Sequence, residues 1–173
     1  MNRSIRRAVA LAFLAAMPWA TAIEAEQPPP VLKMPGAADR SVAPASLSGR
    51  GRMDVRVEET GGSVVVYHGL PLLEVLERAG LDSKTMAGER KSAAAVVIAA
   101  ARDGYTVAFS VGELRMHRGD PRVFLVGETA EGPLPESEGP VRLIVYGDRA
   151  RSAYALASIE MRHVAPNAAA PKN

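Results

Sequence analysis

Apolar and polar residues alternate over Met53-Asp54-Val55-Arg56-Val57-Glu58, the period of a half-buried β-strand. Gly61-Gly62 supplies a turn and the β-rich run Ser63 to Tyr67 follows, so the pattern predicts a hairpin. Pro71 then opens a short helix in its first turn, where a missing N–H costs nothing. Leu72, Leu73, Val75, Leu76 and Ala79 give that helix an apolar stripe, and Gly80 stands where a helix-ending glycine belongs. Lys84 to Ser92 is polar, carries Gly88 and reads as a loop. Ala94 to Ala101 is a continuous apolar run. Its alanines favour helix, but Val96-Val97-Ile98 and the Asp103-Gly104 turn behind them favour a buried strand.

Tyr105 to Ser110 is the hairpin partner of that strand, and Val111 to His117 is a short helix or turn. Val123 to Val126 predicts a strand, Gly127 to Gly139 a long acidic loop, and Val141 to Tyr146 a strand with Arg142 inside it. In the last strand, Ala155 to Val164, Leu156, Ser158, Glu160 and Arg162 alternate against Ala157, Ile159, Met161 and His163. There is no internal repeat. The elements add up to an α+β domain, a mixed β-sheet carrying short helices.

The two ends follow other rules. Arg3, Arg6 and Arg7 precede a short apolar core, Ala8 to Met17, and the small residues of Ala20-Thr21-Ala22. This is the pattern of a secretory signal peptide over residues 1–22, cleaved after Ala22. The apolar run falls short of the ~20 residues a spanning helix needs. The expectation is a periplasmic or secreted protein with no integral membrane segment after cleavage. Residues 23–45 contain Pro28-Pro29-Pro30, Pro35-Gly36 and Pro44, which predict an extended, mobile tether. Residues 165–173 predict a disordered tail, which leaves residues 46–164 as the folded domain.

Export changes the charge argument. The whole chain has 21 basic and 19 acidic residues. Losing Arg3, Arg6 and Arg7 leaves 18 basic residues against 19 acidic, a net charge of −1. A nucleic-acid partner needs a basic face, and the global charge supplies none. The chain has no cysteine. Disulfides, cysteine-ligated metals and thiol catalysis are therefore excluded.

Several phrases carry a resemblance through their order and spacing. They are Tyr67-His68-Gly69-Leu70-Pro71-Leu72-Leu73-Glu74-Val75-Leu76 closing on Ala79-Gly80-Leu81, then Arg102-Asp103-Gly104-Tyr105, then Gly139-Pro140-Val141-Arg142-Leu143-Ile144-Val145. In this order the chain resembles the molybdopterin-binding domain of the sulfite oxidase family of oxidoreductases, over roughly Tyr67 to Val164. The resemblance implies that fold, and an arginine at Arg142, aided by Arg149 and Arg151, holding an anionic cofactor. Guanidinium groups suit that task because they recognise phosphate bidentately. Two departures stand against the family chemistry. The cysteine thiolate that binds molybdenum in the family has no counterpart here. Acidic Glu136 and Glu138 also precede the Gly-Pro, where some members place a histidine, and their carboxylates would repel a phosphate.

Other residues qualify on their own chemistry. His68, beside Gly69 at a strand end, is a candidate to line a cleft, and Tyr105 a candidate ligand contact or core ring. The spacings of His68, His117 and His163 match no zinc signature. His117 reads as solvated in a basic turn, His163 as an inward structural residue, and Glu113 as a simple helix-turn charge. Simple alternation points Arg142 to solvent, while the family reading points it into a ligand groove. The cofactor stays unassigned at this level: molybdopterin is implied by resemblance and disfavoured by the missing cysteine. The expectation is an exported, non-catalytic module binding a small anionic ligand or an envelope protein. The alternative is a molybdopterin-dependent oxidoreductase, or its cofactor-binding subunit, with a non-cysteine metal ligand.

Overall fold

In chain order the elements are β1 (Val31–Lys33), β2 (Arg40–Ser41), β3 (Met53–Glu58), β4 (Val64–Pro71), α1 (Leu72–Arg78), α2 (Met86–Ser92), β5 (Ala95–Ala101), β6 (Thr106–Ser110), α3 (Val111–Met116), β7 (Val123–Thr129), β8 (Gly132–Pro133), β9 (Arg142–Val145) and β10 (Leu156–His163). These come from a computed structural model that describes residues 27–164. The expected signal peptide and disordered tail lie outside the described residues. One sheet has the order β2-β1-β10-β5-β6. The other runs β3-β4-β7, with both β8 and β9 pairing β7.

The larger core forms where one face of each sheet meets α1 and α3. Leu32, Val97, Phe109, Leu156 and Ile159 come from the first sheet, Leu70, Leu125 and Leu143 from the second, and Leu76 and Leu114 from the helices. The second sheet also buries its opposite face. There Val55, Tyr67, Phe124, Val126 and Ile144 form a smaller cluster, with Val57, Val65 and Leu134 against it. Apolar burial on both faces of a sheet explains why β7 and β9 show no alternation: Val123 to Gly127 and all of Arg142–Val145 are buried.

The hairpin of β3 and β4 forms as expected, but β4 runs on to Pro71, which ends the strand and caps α1. The helix closes by bonding Gly80 N–H to Glu77 O at 3.0 Å and Leu81 N–H to Leu76 O at 2.9 Å. Gly80 takes the positive φ, +111°, that this ending requires. Gly69 has a different role. A Cβ there would collide with the Leu125 carbonyl oxygen, so the register of β4 on β7 depends on a bare backbone.

Four expectations are corrected. The proline-rich stretch does not hang free over 27–45. β1 pairs parallel with β10 and antiparallel with β2, and Leu32 and Val42 are buried. The prolines set an extended backbone, and Leu32 anchors it in the core. Lys84 to Ser92 is not a loop but contains α2, whose first turn is capped by Thr85 Oγ1 accepting from Gly88 N–H at 3.0 Å. Gly88 looks like a loop signal but serves close packing, because a side chain there would strike Asp82. The acidic loop after Val126 is shorter than expected, since β7 continues to Thr129 and turns back into β8. In β10 a register irregularity between Leu156 and Ser158 buries Leu156, while Ile159 and Met161 keep the expected alternation; His163, expected inward, is exposed because it is the strand's last residue.

No helix among the described residues is long and apolar enough to cross a membrane. If β1 belongs to the fold, Leu32→Ala should lower the urea-unfolding free energy by about 2–5 kcal/mol, the usual cost of a buried leucine. A change indistinguishable from zero would return residues 27–45 to a free tether.

Candidate functional site

Arg142 sits on β9 with its side chain 3% exposed, facing the smaller apolar cluster rather than solvent. A lone buried guanidinium would be prohibitively costly, so the fold surrounds it with acceptors. Nη1 donates to Glu59 Oε1 at 3.0 Å, to Glu138 Oε2 at 2.8 Å and to the Tyr67 hydroxyl. Nη2 donates to the Tyr154 hydroxyl at 3.2 Å. The guanidinium carbon lies 4.7 Å from the Tyr67 ring centroid and 4.2 Å from that of Tyr154. Tyr67 in turn donates to Glu59 Oε1 at 2.9 Å. Nε is buried with no partner among the described groups.

Each partner is placed by a different element. Glu59 follows β3 at the Gly61-Gly62 turn, Tyr67 comes from β4, Glu138 from the 3-10 turn Glu136–Glu138, and Tyr154 from the segment before β10. The solvent position suggested by alternation is corrected because β9 is covered on both faces. The family reading places Arg142 in a ligand groove; the structure gives it two carboxylate partners and sets it, with Arg149 and Tyr154, in the lining of a cavity of about 490 Å³. Sequence reading missed Glu59, Tyr67 and Tyr154 entirely. It did note Glu138 as a group hostile to phosphate, and the same carboxylate that would repel an anion holds Arg142.

The three arginines expected to act together divide between two places. Arg149 joins Arg142 through their shared carboxylate, reaching Glu59 Oε2 at 3.3 Å and Thr60 Oγ1 at 2.9 Å. Arg151 lies apart. It donates to both carboxylate oxygens of Glu113, at 2.8 and 3.4 Å, and to Ala108 O at 3.0 Å, and packs 4.4 Å from the Phe109 ring centroid. Tyr105 belongs with this second group, its hydroxyl donating to Ala150 O. His68 belongs with neither. It faces Asp54 across the β3–β4 pair, Nδ1 to Oδ1 2.8 Å.

A cleft of about 410 Å³ opens beside Arg151. Leu73, Leu114, Val123 and Val145 give it apolar surface. Glu77 and Arg118, paired at 2.6 Å, and Glu113 with Arg151 give it polar walls. Glu113 is therefore half of a two-pronged ion pair rather than a simple helix charge. His117, expected to be solvated, is half-buried and lines the same cleft. An apolar cavity with a few converging polar groups is the usual form of a small-molecule site. Among the described residues, no group of three or more His, Asp or Glu is arranged to hold a metal ion.

Glu59 in the cage and Glu77 and Glu113 at the cleft are held ionised. Burial opposes ionisation of Glu59, but the Tyr67 hydrogen bond and the charges of Arg142 and Arg149 outweigh it, leaving its pKa below the usual range. Glu77 behaves likewise: burial is outweighed by Ser83 and Arg118. Glu113 is lowered chiefly by its hydrogen bond to Arg151. The Tyr67 phenol moves the other way, raised by burial and by donating to Glu59.

Two measurements test this arrangement. Arg142→Ala strands two carboxylates and should cost about 3–5 kcal/mol of stability by chemical denaturation. A cost under about 0.5 kcal/mol, the range of ordinary surface changes, would show that the cage is not structural. Lowered carboxylate pKa values mean that the unfolded chain binds more protons in the acid range. Stability is then complete above the unfolded value of about 4.3 and is lost as pH falls through the lower folded values. The midpoint of thermal unfolding should therefore drop on acidification below about pH 4.5, and less steeply in Glu59→Gln. A midpoint that holds or rises would contradict the assigned ion pairs.

The family model described as the oxidoreductase molybdopterin binding domain matches residues 42–167. No curated protein matches the chain. The match covers most of the chain, begins beside the buried Val42 and includes β3 to β10 with the Arg142 cage. The chain belongs to the oxidoreductase molybdopterin-binding domain family.

Proposed function

We propose that this member of the family is exported and has become a non-catalytic module that binds a small ligand in the cell envelope. The observation that carries the reading is the state of Arg142. In a family whose cofactor is anionic, the arginine at the Gly-Pro-Val-Arg position is spent on Glu59 and Glu138 and is closed off from solvent. Its Nε is buried without a partner among the described groups. The chain also lacks the thiolate that would bind molybdenum. The residues present thus do not fit the family's molybdenum cofactor. The cleft between α1, α3 and the end of β9 offers a ligand Arg118 and His117 beside apolar surface. Export is supported by Arg3, Arg6, Arg7 and the small residues ending at Ala22.

The test is the molybdenum and pterin content of folded protein purified from its native envelope, by elemental mass spectrometry and oxidised-pterin fluorescence. Neither component should be present above trace. Near-stoichiometric amounts of both would overturn the reading in favour of an oxidoreductase with a non-cysteine metal ligand.

A further inference from the structure

β3 ends its sheet, and its outer edge is unusually open. Among the described strands at sheet ends, β2 and β8 have two residues each. The outer edge of β9 is bridged to Ala153, and β6 receives Arg151 at the Ala108 carbonyl. β3 has six residues, and no described strand pairs its second side. Among the described residues, the only side chain donating to its backbone is Arg149, to Glu58 O at 3.4 Å, at the strand's end. Edge strands of this length normally carry a device that prevents pairing, such as a proline, a bulge or an inward-pointing charge. β3 has no proline, bulge or inward charge, since its inward residues are Met53, Val55 and Val57 with Met53 40% exposed; its one such device is the charge on its other face.

The charges of β3 all lie on the other face, and their order is the informative feature. Read outward from Val55, Arg52-Met53-Asp54-Val55-Arg56-Val57-Glu58 has Asp54 against Arg56, Met53 against Val57, and Arg52 against Glu58. The strand, together with Arg52 just before it, is a charge palindrome of complementary sign. We propose that the open edge of β3 pairs antiparallel with β3 of a second copy of this chain, about a twofold axis at Val55.

In that register Asp54 of each copy faces Arg56 of the other, Arg52 faces Glu58, and Met53 covers Val57 on the apolar face. Directly opposed residues are the pairs that stabilise or destabilise a sheet. The neighbouring registers that keep each face matched are rejected by the same residues. A shift one way sets Arg56 against Arg56 and Asp54 against Glu58. A shift the other way sets Asp54 against Asp54 and Arg52 against Arg56. An odd shift would turn apolar residues against charged ones. A pattern that favours one register and penalises its alternatives is what a specific interface requires. The central charges are accessible, while Arg52 is paired with Glu128 at 2.9 Å on the surface and would exchange that partner for Glu58 of the second copy. Arg56 is exposed with no described ion-pair partner, and Asp54 keeps 68% of its side chain exposed while touching His68. A twofold pairing also closes the assembly, because each open edge consumes the other. This interface is independent of what the cleft binds.

Sedimentation equilibrium on the purified full chain, expressed with its own N-terminus, tests the proposal. The wild-type chain should be a dimer that dissociates on dilution. Arg56→Glu places Glu against Asp54, and Asp54→Arg places Arg against Arg56, each twice per dimer. Either variant alone should weaken self-association by about tenfold or more while keeping the wild-type circular dichroism. Mixed in equal amounts, the two folded variants present opposite charges to each other and should form a heterodimer. A wild-type monomer at every concentration, dimerisation indifferent to both substitutions, or a mixture that stays monomeric would each overturn the proposal.

Discussion

The charge of Arg142 has to be satisfied inside the protein, and much of the second sheet's architecture meets that requirement. A guanidinium on a strand covered on both faces has no water to turn to. Glu59 at the β3–β4 turn, Glu138 before β9, and the hydroxyls of Tyr67 and Tyr154 together replace it. These residues come from four separate segments, so the cage ties the hairpin, the acidic turn and the approach to β10 into one unit. An ion cluster of this kind adds little to stability over an apolar core of the same shape, but it is costly to break and admits few alternative packings.

That cage also shows how an arginine at the family position is neutralised by the chain's own groups within the family fold. A binding cation and a structural cation differ only in where their counter-charges come from. Where a cofactor supplies them, the protein must leave the site open. Here Glu59 and Glu138 supply them from within the chain. Basic character reappears at the cleft beside α3, where Arg118 and Arg151 are each paired to a carboxylate at the rim of an apolar surface. The two sites are thus electrostatically distinct: one is buried and self-neutralised, the other accessible and amphipathic.

Much of the fold was legible from local pattern. The period of two in Met53 to Glu58, the turn at Gly61-Gly62, the helix between Pro71 and Gly80, and the Asp103-Gly104 hairpin are all set by steric and burial rules that act over a few residues. Local reading failed at α2, where a glycine that signals a loop serves close packing, and at β1, where a distant partner decided the outcome. α2 forms because Thr85 caps it and Gly88 permits Asp82 to approach. β1 forms because β10 offers it an edge and the core takes Leu32.

The candidate site shows the same division. The sequence by itself determined the family order of phrases, the absence of a thiolate and the presence of carboxylates just before Arg142, since these are matters of composition and spacing. Only the tertiary structure decided that Arg142 is buried, that it shares Glu59 with Arg149, and that Arg151 turns away to Glu113. The reason is physical. Which face of a strand is buried depends on what packs over it. The groups that neutralise Arg142 are up to 83 positions away in the chain, a separation across which no periodicity carries information.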